Sequence, residues 1–105
     1  MEWTEYMIKM VPLRQVCAAL GYEFVWSPTL RRVDLLYNED LYVRLTLGLN
    51  SYSTTQERKH RILEAAPIML DGIVYVPISF FDQILSMVTY TLDDKSNITF
   101  YSYRE

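Results

Sequence analysis

The sequence is poor in cysteine, histidine and glycine, and each shortage excludes a class of protein. Its 105 residues include one cysteine, Cys17, so no intrachain disulfide framework can form. There is one histidine, His60, and there are three glycines, which argues against a multi-histidine metal centre and a glycine-rich phosphate loop. The longest apolar stretches, such as residues 73–78, are far shorter than the ~20 residues that span a membrane. We therefore expect no membrane span in this chain.

The sequence also lacks an excess of positive charge. Lysine and arginine number 10 against 13 aspartates and glutamates, which gives a net charge of −3. A nucleic-acid-binding domain needs a clear positive excess, so no nucleic-acid partner is expected. No signal peptide is predicted, because Glu2, Glu5 and Lys9 interrupt any apolar segment near the start. Half of the residues are apolar, which predicts one soluble globular domain over residues 1–105.

Two segments of the chain resemble each other at an offset of 65 residues. Val-Pro-Leu at 11–13 aligns with Val-Pro-Ile at 76–78, and Val16 then aligns with Phe81. In each copy, a short extended piece is followed by a stretch with helical periodicity and then by two strand-like runs. This order predicts two related β-α-β-β-like halves.

Apolar spacing predicts one short helix in each half. The first helix has one apolar face at the spacing i, i+3, i+4 and i+7: Leu13, Val16, Cys17 and Leu20. Gly21 follows it and suits a helix end. The second helix has a similar inward face: Ile78, Phe81, Ile84 and Leu85. Both helices are too short to be stable alone and need a sheet to pack against.

Elsewhere the period changes to two, which is typical of strands with one buried face. In residues 41–47 the leucines and Val43 alternate with Tyr42, Arg44 and Thr46, so we expect these three side chains to point outward. A polar break at 38–40 and the pair Asp-Gly at 71–72 predict two hairpins. Polar residues 51–60 are expected to form a loop. The predicted fold class is α+β, with a twisted antiparallel sheet packed on two short helices.

The ordered series of motifs resembles the copper amine oxidase N-terminal-like (stalk) domain family. The likeness begins with Met-Val-Pro-Leu-Arg at 10–14, Ala-Leu-Gly-Tyr at 19–22 and Phe-Val-Trp at 24–26. It continues with Asp-Gly at 71–72 and Tyr-Val-Pro-Ile at 75–78, and it covers residues of about 7–103. The resemblance implies the same sheet-and-helix fold. It also implies an extracellular or cell-surface setting, because many secreted and envelope proteins of Gram-positive bacteria carry this domain.

The resemblance implies no copper chemistry in this chain. In the amine oxidases that have it, the stalk is separate from the copper and the quinone cofactor. Copper there is held by three histidines, whereas this chain has His60 alone. We therefore expect no catalytic residue, no metal site and no cofactor. The predicted function is a non-catalytic structural or interaction module, a spacer or stalk.

Three groups of reactive side chains have a simpler structural interpretation. His60 lies in a charged run without partners at ligand spacing, which favours a solvated side chain. Cys17 lies on the apolar helix face, which favours a buried small hydrophobe over an activated nucleophile. Asp93, Asp94 and Asn97 lack the ligand count of a calcium loop, so we expect a turn there.

The tyrosines suggest an alternative function. There are nine, and a flat sheet face with exposed rings would stack on sugars or peptides. The alternative is a binding module for cell-wall glycan or peptide, with Tyr42, Arg31 and Arg32 as surface-binding candidates. A second basic spot at 58–61 would help to attract an anionic wall polymer. An uncovered sheet edge also makes a homodimer a predicted partner arrangement.

Overall fold

The computed structural model describes residues 8–55, 59–85, 88–95 and 97–102. Arg58 of the second basic spot and Ser96 of the predicted turn lie outside these residues. The elements in chain order are β1 (Met10–Pro12), α1 (Leu13–Ala19), β2 (Glu23–Ser27), β3 (Arg32–Tyr37), β4 (Asp40–Thr46), β5 (Ser51–Thr54), β6 (Lys59–Ile62), β7 (Ile68–Leu70), β8 (Ile73–Pro77), α2 (Ser79–Gln83), β9 (Val88–Leu92) and β10 (Ile98–Ser102).

The strands form three antiparallel sheets instead of the single sheet predicted. The largest has five strands in the order β2-β3-β4-β5-β6. A three-stranded sheet has the order β1-β8-β7, and β9 pairs with β10. Mostly antiparallel sheets with two short helices confirm the α+β class. The single-sheet prediction was wrong because periodicity identifies strands without showing which strands are neighbours.

The two Val-Pro segments lie side by side. Strands β1 and β8 pair antiparallel with Val11 opposite Val76, the residues that align in the sequence repeat. The order strand, helix, strand, strand occurs from β1 to β3 and again from β8 to β10. That the two halves are related remains a prediction.

One apolar core joins the helices to the inner faces of the sheets. Leu13 and Cys17 of α1 are fully buried, as are Phe80 and Phe81 of α2. The rings of Phe80 and Phe81 meet edge to face, with centroids 5.4 Å apart. The helical spacing therefore predicted α1 correctly. Helix α2 lies where expected, but it spans only five residues.

Two-residue turns close the two predicted hairpins. Asp71 and Gly72 join β7 to β8 with φ values of 52° and 78°. Asn38 and Glu39 join β3 to β4 with φ values of 51° and 68°. Two successive positive φ angles are typical of the type I′ turns whose twist matches a hairpin. Both hairpin predictions are confirmed.

The loop predicted for residues 51–60 was wrong. Residues 51–54 form β5, and β6 begins at residue 59 and pairs with it antiparallel. Tyr52 and Thr54 of β5 point inward, while Ser51 and Ser53 lie on the opposite face. The strand was missed because all four of its side chains carry a hydroxyl group, and Tyr52 has the one large ring among them.

The outward placement predicted for Tyr42 was also wrong. A register shift separates the pairs Leu35–Val43 and Leu36–Leu41, so Tyr42 is the extra residue of a β-bulge. The bulge turns Tyr42 inward beside Val43, and its side chain is 8% exposed. The alternation resumes after the bulge, because Arg44 and Thr46 are only partly buried whereas Leu45 is buried.

Neither α1 nor α2, the helices of the described residues, has the length and hydrophobicity needed to span a lipid bilayer.

Candidate functional site

A groove of about 360 Å³ lies between α1, β2 and the β7–β8 hairpin. Both β2 and β7 are edge strands, each the last strand of its own sheet. The lining is mostly apolar: Pro12, Arg14, Gln15, Phe24, Trp26, Met69, Gly72, Ile73 and Val74. Such a lining suits the binding of an apolar group and provides no acid–base pair.

The aromatic wall of the groove comes from β2. Phe24 and Trp26 are two residues apart, so their side chains leave the strand on the same face. Both are half-buried and pack against the core at one side. Trp26 therefore lies between the core and the groove, and its ring borders both.

Arg14 of α1 provides the charge of the groove. It is exposed on α1, and its guanidinium carbon lies 5.5 Å from the centre of the Phe24 ring. A cation over an aromatic face is attracted by the negative electrostatic potential of the ring. Among the described residues that line the groove, Arg14 is the one charged side chain, and within the described part of the chain it forms no ion pair.

The opposite wall is an apolar hairpin that lies largely in solvent. The exposed fractions are 39% for Ile68, 36% for Met69 and 58% for Leu70, and Ile73 across the turn is 41% exposed. Large apolar side chains grouped in this way are typical of interaction sites. The hairpin extends the apolar lining of the groove onto the surface.

A second feature, which is polar, crosses the outer face of the five-stranded sheet. The Arg44 guanidinium donates two hydrogen bonds to the Asp34 carboxylate, at 2.9 and 3.2 Å. On the neighbouring strands, 2.9 Å separates Ser53 Oγ from His60 Nδ1. These four residues are cross-strand partners in the sheet, so they form one continuous row. Hydrogen bonding to Asp34 raises the pKa of Arg44 above its usual range.

The predicted surface-binding residues are not brought together. Arg31 is exposed in the turn before β3, with φ of 51°. Arg32 is partly buried, and its Nε lies 3.4 Å from Asp34 Oδ1. Tyr42 is buried among tyrosines, with the Tyr22 ring 5.6 Å away. Arg32 is thus engaged by Asp34, and the Tyr42 ring is not available to stack on a ligand.

A third group of contacts holds α2 against β5. The phenol of Tyr52 donates a hydrogen bond to the carbonyl of Ala65 at 2.9 Å, and its ring contacts Phe80. Ser79 Oγ donates to the Glu64 carboxylate at 2.7 Å. Burial, with a contribution from the Glu64 charge, holds the pKa of Tyr52 well above its usual range. These contacts explain how α2 packs against β5.

The reactive side chains of the sequence lie in ordinary structural settings. Cys17 is fully buried and His60 is exposed, as predicted. Asp93 accepts hydrogen bonds from the backbone N–H groups of Lys95 and Asn97, as expected for a turn. Hydrogen bonds from Asn97 hold the pKa of Asp93 below its usual range. Among the residues that the structure describes, no three His, Cys, Asp or Glu side chains are placed to hold a metal ion.

Comparison with known proteins identifies the family. The model of the copper amine oxidase N-terminal domain matches residues 8–100. The chain belongs to this family. A protein named "Protease inhibitor" from Brevibacillus choshinensis is 28% identical over 85 residues, which cover 81% of this chain and 25% of the relative. The chain thus spans about a quarter of that relative's length. No solved structure matches significantly.

The groove was missed by sequence reasoning, although one signal for it was present. The family resemblance, now confirmed, gave the fold without a binding site. The signal is the run from Ile68 to Leu70, which contains no polar residue although a hairpin strand with one wet face should alternate. A run of this kind beside the hairpin turn predicted at 71–72 indicates an exposed apolar edge.

Proposed function

We propose that the chain is a non-catalytic structural and interaction module of an extracellular or cell-envelope protein. The observation that carries this proposal is the groove, whose lining is apolar apart from Arg14 and Gln15. It suits contact with another molecule, and its described lining residues include no paired nucleophile and base of the kind that catalysis needs. Membership of a family described as the N-terminal domain of copper amine oxidases supports the same function.

An interaction role is better supported than a pure spacer role. A spacer needs no concave apolar surface, whereas this domain has a groove continuous with an exposed apolar hairpin. The relative from Brevibacillus choshinensis is named a protease inhibitor, and the target that this name gives for the relative, a protease, is a protein. A protein contact is therefore the favoured role for the groove. An extracellular or envelope setting follows from the family resemblance.

The alternative, binding to cell-wall glycan or peptide, needs a different surface from the one first predicted. Tyr22, Tyr42 and Tyr52 are buried, whereas Tyr101 is 47% exposed. A flat tyrosine platform thus has little support. If the wall is the ligand, the aromatic side chains that would contact it are Phe24 and Trp26 in the groove.

Co-sedimentation of the purified domain with Gram-positive cell walls, at low salt and at about 0.5 M salt, tests the wall-binding alternative. Salt at that level screens attraction between exposed charges, so only specific binding survives. Salt-resistant binding that is lost in Trp26→Ala would establish the wall as the partner. Absence of binding at both salt concentrations would leave a protein partner. That partner is then sought by crosslinking the domain on intact cells through a photoreactive group at position 70, with position 49 as the matched exposed control.

A further inference from the structure

We propose that the groove and the edge strand β7 together bind an extended peptide segment that carries one apolar and one acidic side chain. This inference rests on the proposed interaction role and names the ligand class for it. Three independent features support it: the apolar surface of the hairpin, the free edge of β7, and the unmatched charge of Arg14.

The first feature is the composition of the edge. Natural edge strands are usually protected by short length, lysine, proline, a bulge or a covering element. Strand β7 is short, but it consists of three consecutive large apolar residues, all more than a third exposed, and its pairing with β8 is regular. An apolar edge whose main protection is its length of three residues can still accept another strand.

The second feature is the direction of the free backbone groups. Leu70 and Ile73 flank the two-residue turn, so they form the hydrogen-bonded pair that closes the hairpin. Alternation along an antiparallel ladder then turns the N–H and C=O of Met69 away from β8. The side chain of Met69 also lines the groove. A peptide paired with Met69 would therefore run along the groove, and the flexible thioether can adapt to its side chains.

The third feature is charge. Arg14 projects a guanidinium at the groove, over the Phe24 ring, and has no ion-pair partner among the described residues. None of the described residues that line the groove carries a negative charge. A ligand that brings one carboxylate would complete this site through charge-assisted hydrogen bonds, while its apolar side chain would contact Trp26.

Other occupants match these features less well. A glycan needs several directed hydrogen bonds, but among the described lining residues only Arg14, Gln15 and the indole N–H of Trp26 offer polar side-chain groups. A second copy of the chain would offer its own β7, whose three residues contain no carboxylate for Arg14. An extended peptide that carries an apolar and an acidic side chain on one face satisfies the edge, the groove and the charge together.

The test uses a pair of peptides and the isotope-labelled domain. The first peptide is acetyl-Thr-Phe-Thr-Glu-Thr-Val-amide, in which phenylalanine and glutamate are two residues apart and share one face of a strand. The second has glutamine in place of glutamate. Each is titrated into ¹⁵N-labelled protein, and backbone amide shifts are followed by NMR. We expect shifts at residues 13–15, 24–26 and 68–74, with the glutamine peptide binding about three- to fivefold more weakly.

Two variants assign the charge preference to Arg14. Arg14→Gln should bind both peptides with the same affinity, whereas Arg31→Gln, which removes an exposed arginine outside the groove lining, should keep the preference. Arg14 is exposed, so its replacement should leave the spectrum of the folded domain largely unchanged. A glutamate peptide methylated on the backbone nitrogens that would pair with Met69 should bind more weakly than one methylated on the alternate nitrogens.

The remaining outcomes would overturn the proposal. Equal affinity for the two peptides, or a preference that persists in Arg14→Gln, would show that Arg14 does not read the carboxylate. Groove shifts caused by a chitin tetrasaccharide and by neither peptide would identify a glycan site. Concentration-dependent groove shifts without peptide would identify a second copy as occupant. If peptides fail while crosslinking through position 70 still captures a partner, the ligand class is wrong and the interaction role stands.

Discussion

Replacement of Tyr52 by phenylalanine should destabilise the domain at neutral pH and stabilise it relative to the wild type in alkali. Tyr52 is fully buried, and its phenol donates one hydrogen bond to the Ala65 carbonyl. The substitution keeps the ring contact with Phe80 and removes that bond. A net loss of about 1 kcal/mol is expected, or about 5 °C in the midpoint of thermal unfolding.

The pH dependence follows from the burial of the phenol. Its pKa in the folded state is raised well above the ordinary value of 10.0, chiefly by burial. A raised pKa means that the stabilisation is complete below pH 10 and is lost as the pH rises above it, because only the unfolded state ionises readily. The wild type should therefore lose up to about 1.4 kcal/mol per pH unit relative to Tyr52→Phe. The free energies of unfolding of the wild type and of Tyr52→Phe should become equal at about pH 11.

Urea unfolding monitored by circular dichroism, at intervals from neutral pH to about pH 11, measures this difference directly. Tyr101→Phe is the matched control, because Tyr101 is 47% exposed and should give a difference near zero at every pH. A difference between wild type and Tyr52→Phe that stays constant into the alkaline range would refute the reasoning. It would mean that the phenol of Tyr52 ionises as easily in the folded domain as in the unfolded chain.

Three further predictions concern a turn, a carboxylate and the thiol. Gly72→Ala should destabilise the domain by about 1 kcal/mol, measured by thermal unfolding, because φ at Gly72 is +78°. An added Cβ would meet no atom within 4 Å, so the loss comes from the backbone conformation and not from a clash. An unchanged unfolding midpoint would contradict this prediction. The pKa of Asp93 is held below its ordinary value of 3.8, so the charged carboxylate stabilises the wild type above about pH 4 and this stability is lost in stronger acid. Asp93→Asn should remove that stability. Acid titrations of unfolding measure the effect, with Asp94→Asn, at an exposed neighbouring position, as the control. Cys17 is fully buried and should react with a thiol reagent only after urea unfolding, so rapid labelling of the folded domain would contradict its placement.

The elements that depend on local sequence were predicted correctly. The Asp-Gly pair at 71–72 fixes a tight turn because its backbone tolerates positive φ angles, and the structure has the hairpin there. Helix α1 follows from the spacing of four apolar residues, two of which, Leu13 and Cys17, are fully buried. These features depend on interactions within a few residues, which a single sequence contains.

The errors have one physical cause in common, which is contact between separate segments of the chain. Tyr42 turns inward because of a bulge opposite Leu36, and nothing in residues 41–47 alone indicates where the pairing register shifts. Residues 51–54 form a strand because Tyr52 fills a position between β4 and α2. The groove joins α1 and β2, which are close together in the chain, to the distant β7–β8 hairpin. Hydrophobic periodicity contains no information about such meetings.

The exposure of β7 and the charge of Arg14 decide how the groove should be interpreted. The apolar side chains of β7 are exposed because the strand lies at the edge of its sheet, so they stabilise the core less than buried ones would. Exposed apolar edges favour aggregation, so the proposed ligand would also protect the edge by covering it. Arg14 lies at the groove and has no ion-pair partner among the described residues. A surface with a purely structural role would not require a charged side chain at this position. The proposed peptide ligand would account for both the exposed apolar edge and the unmatched cation, whereas a spacer requires neither.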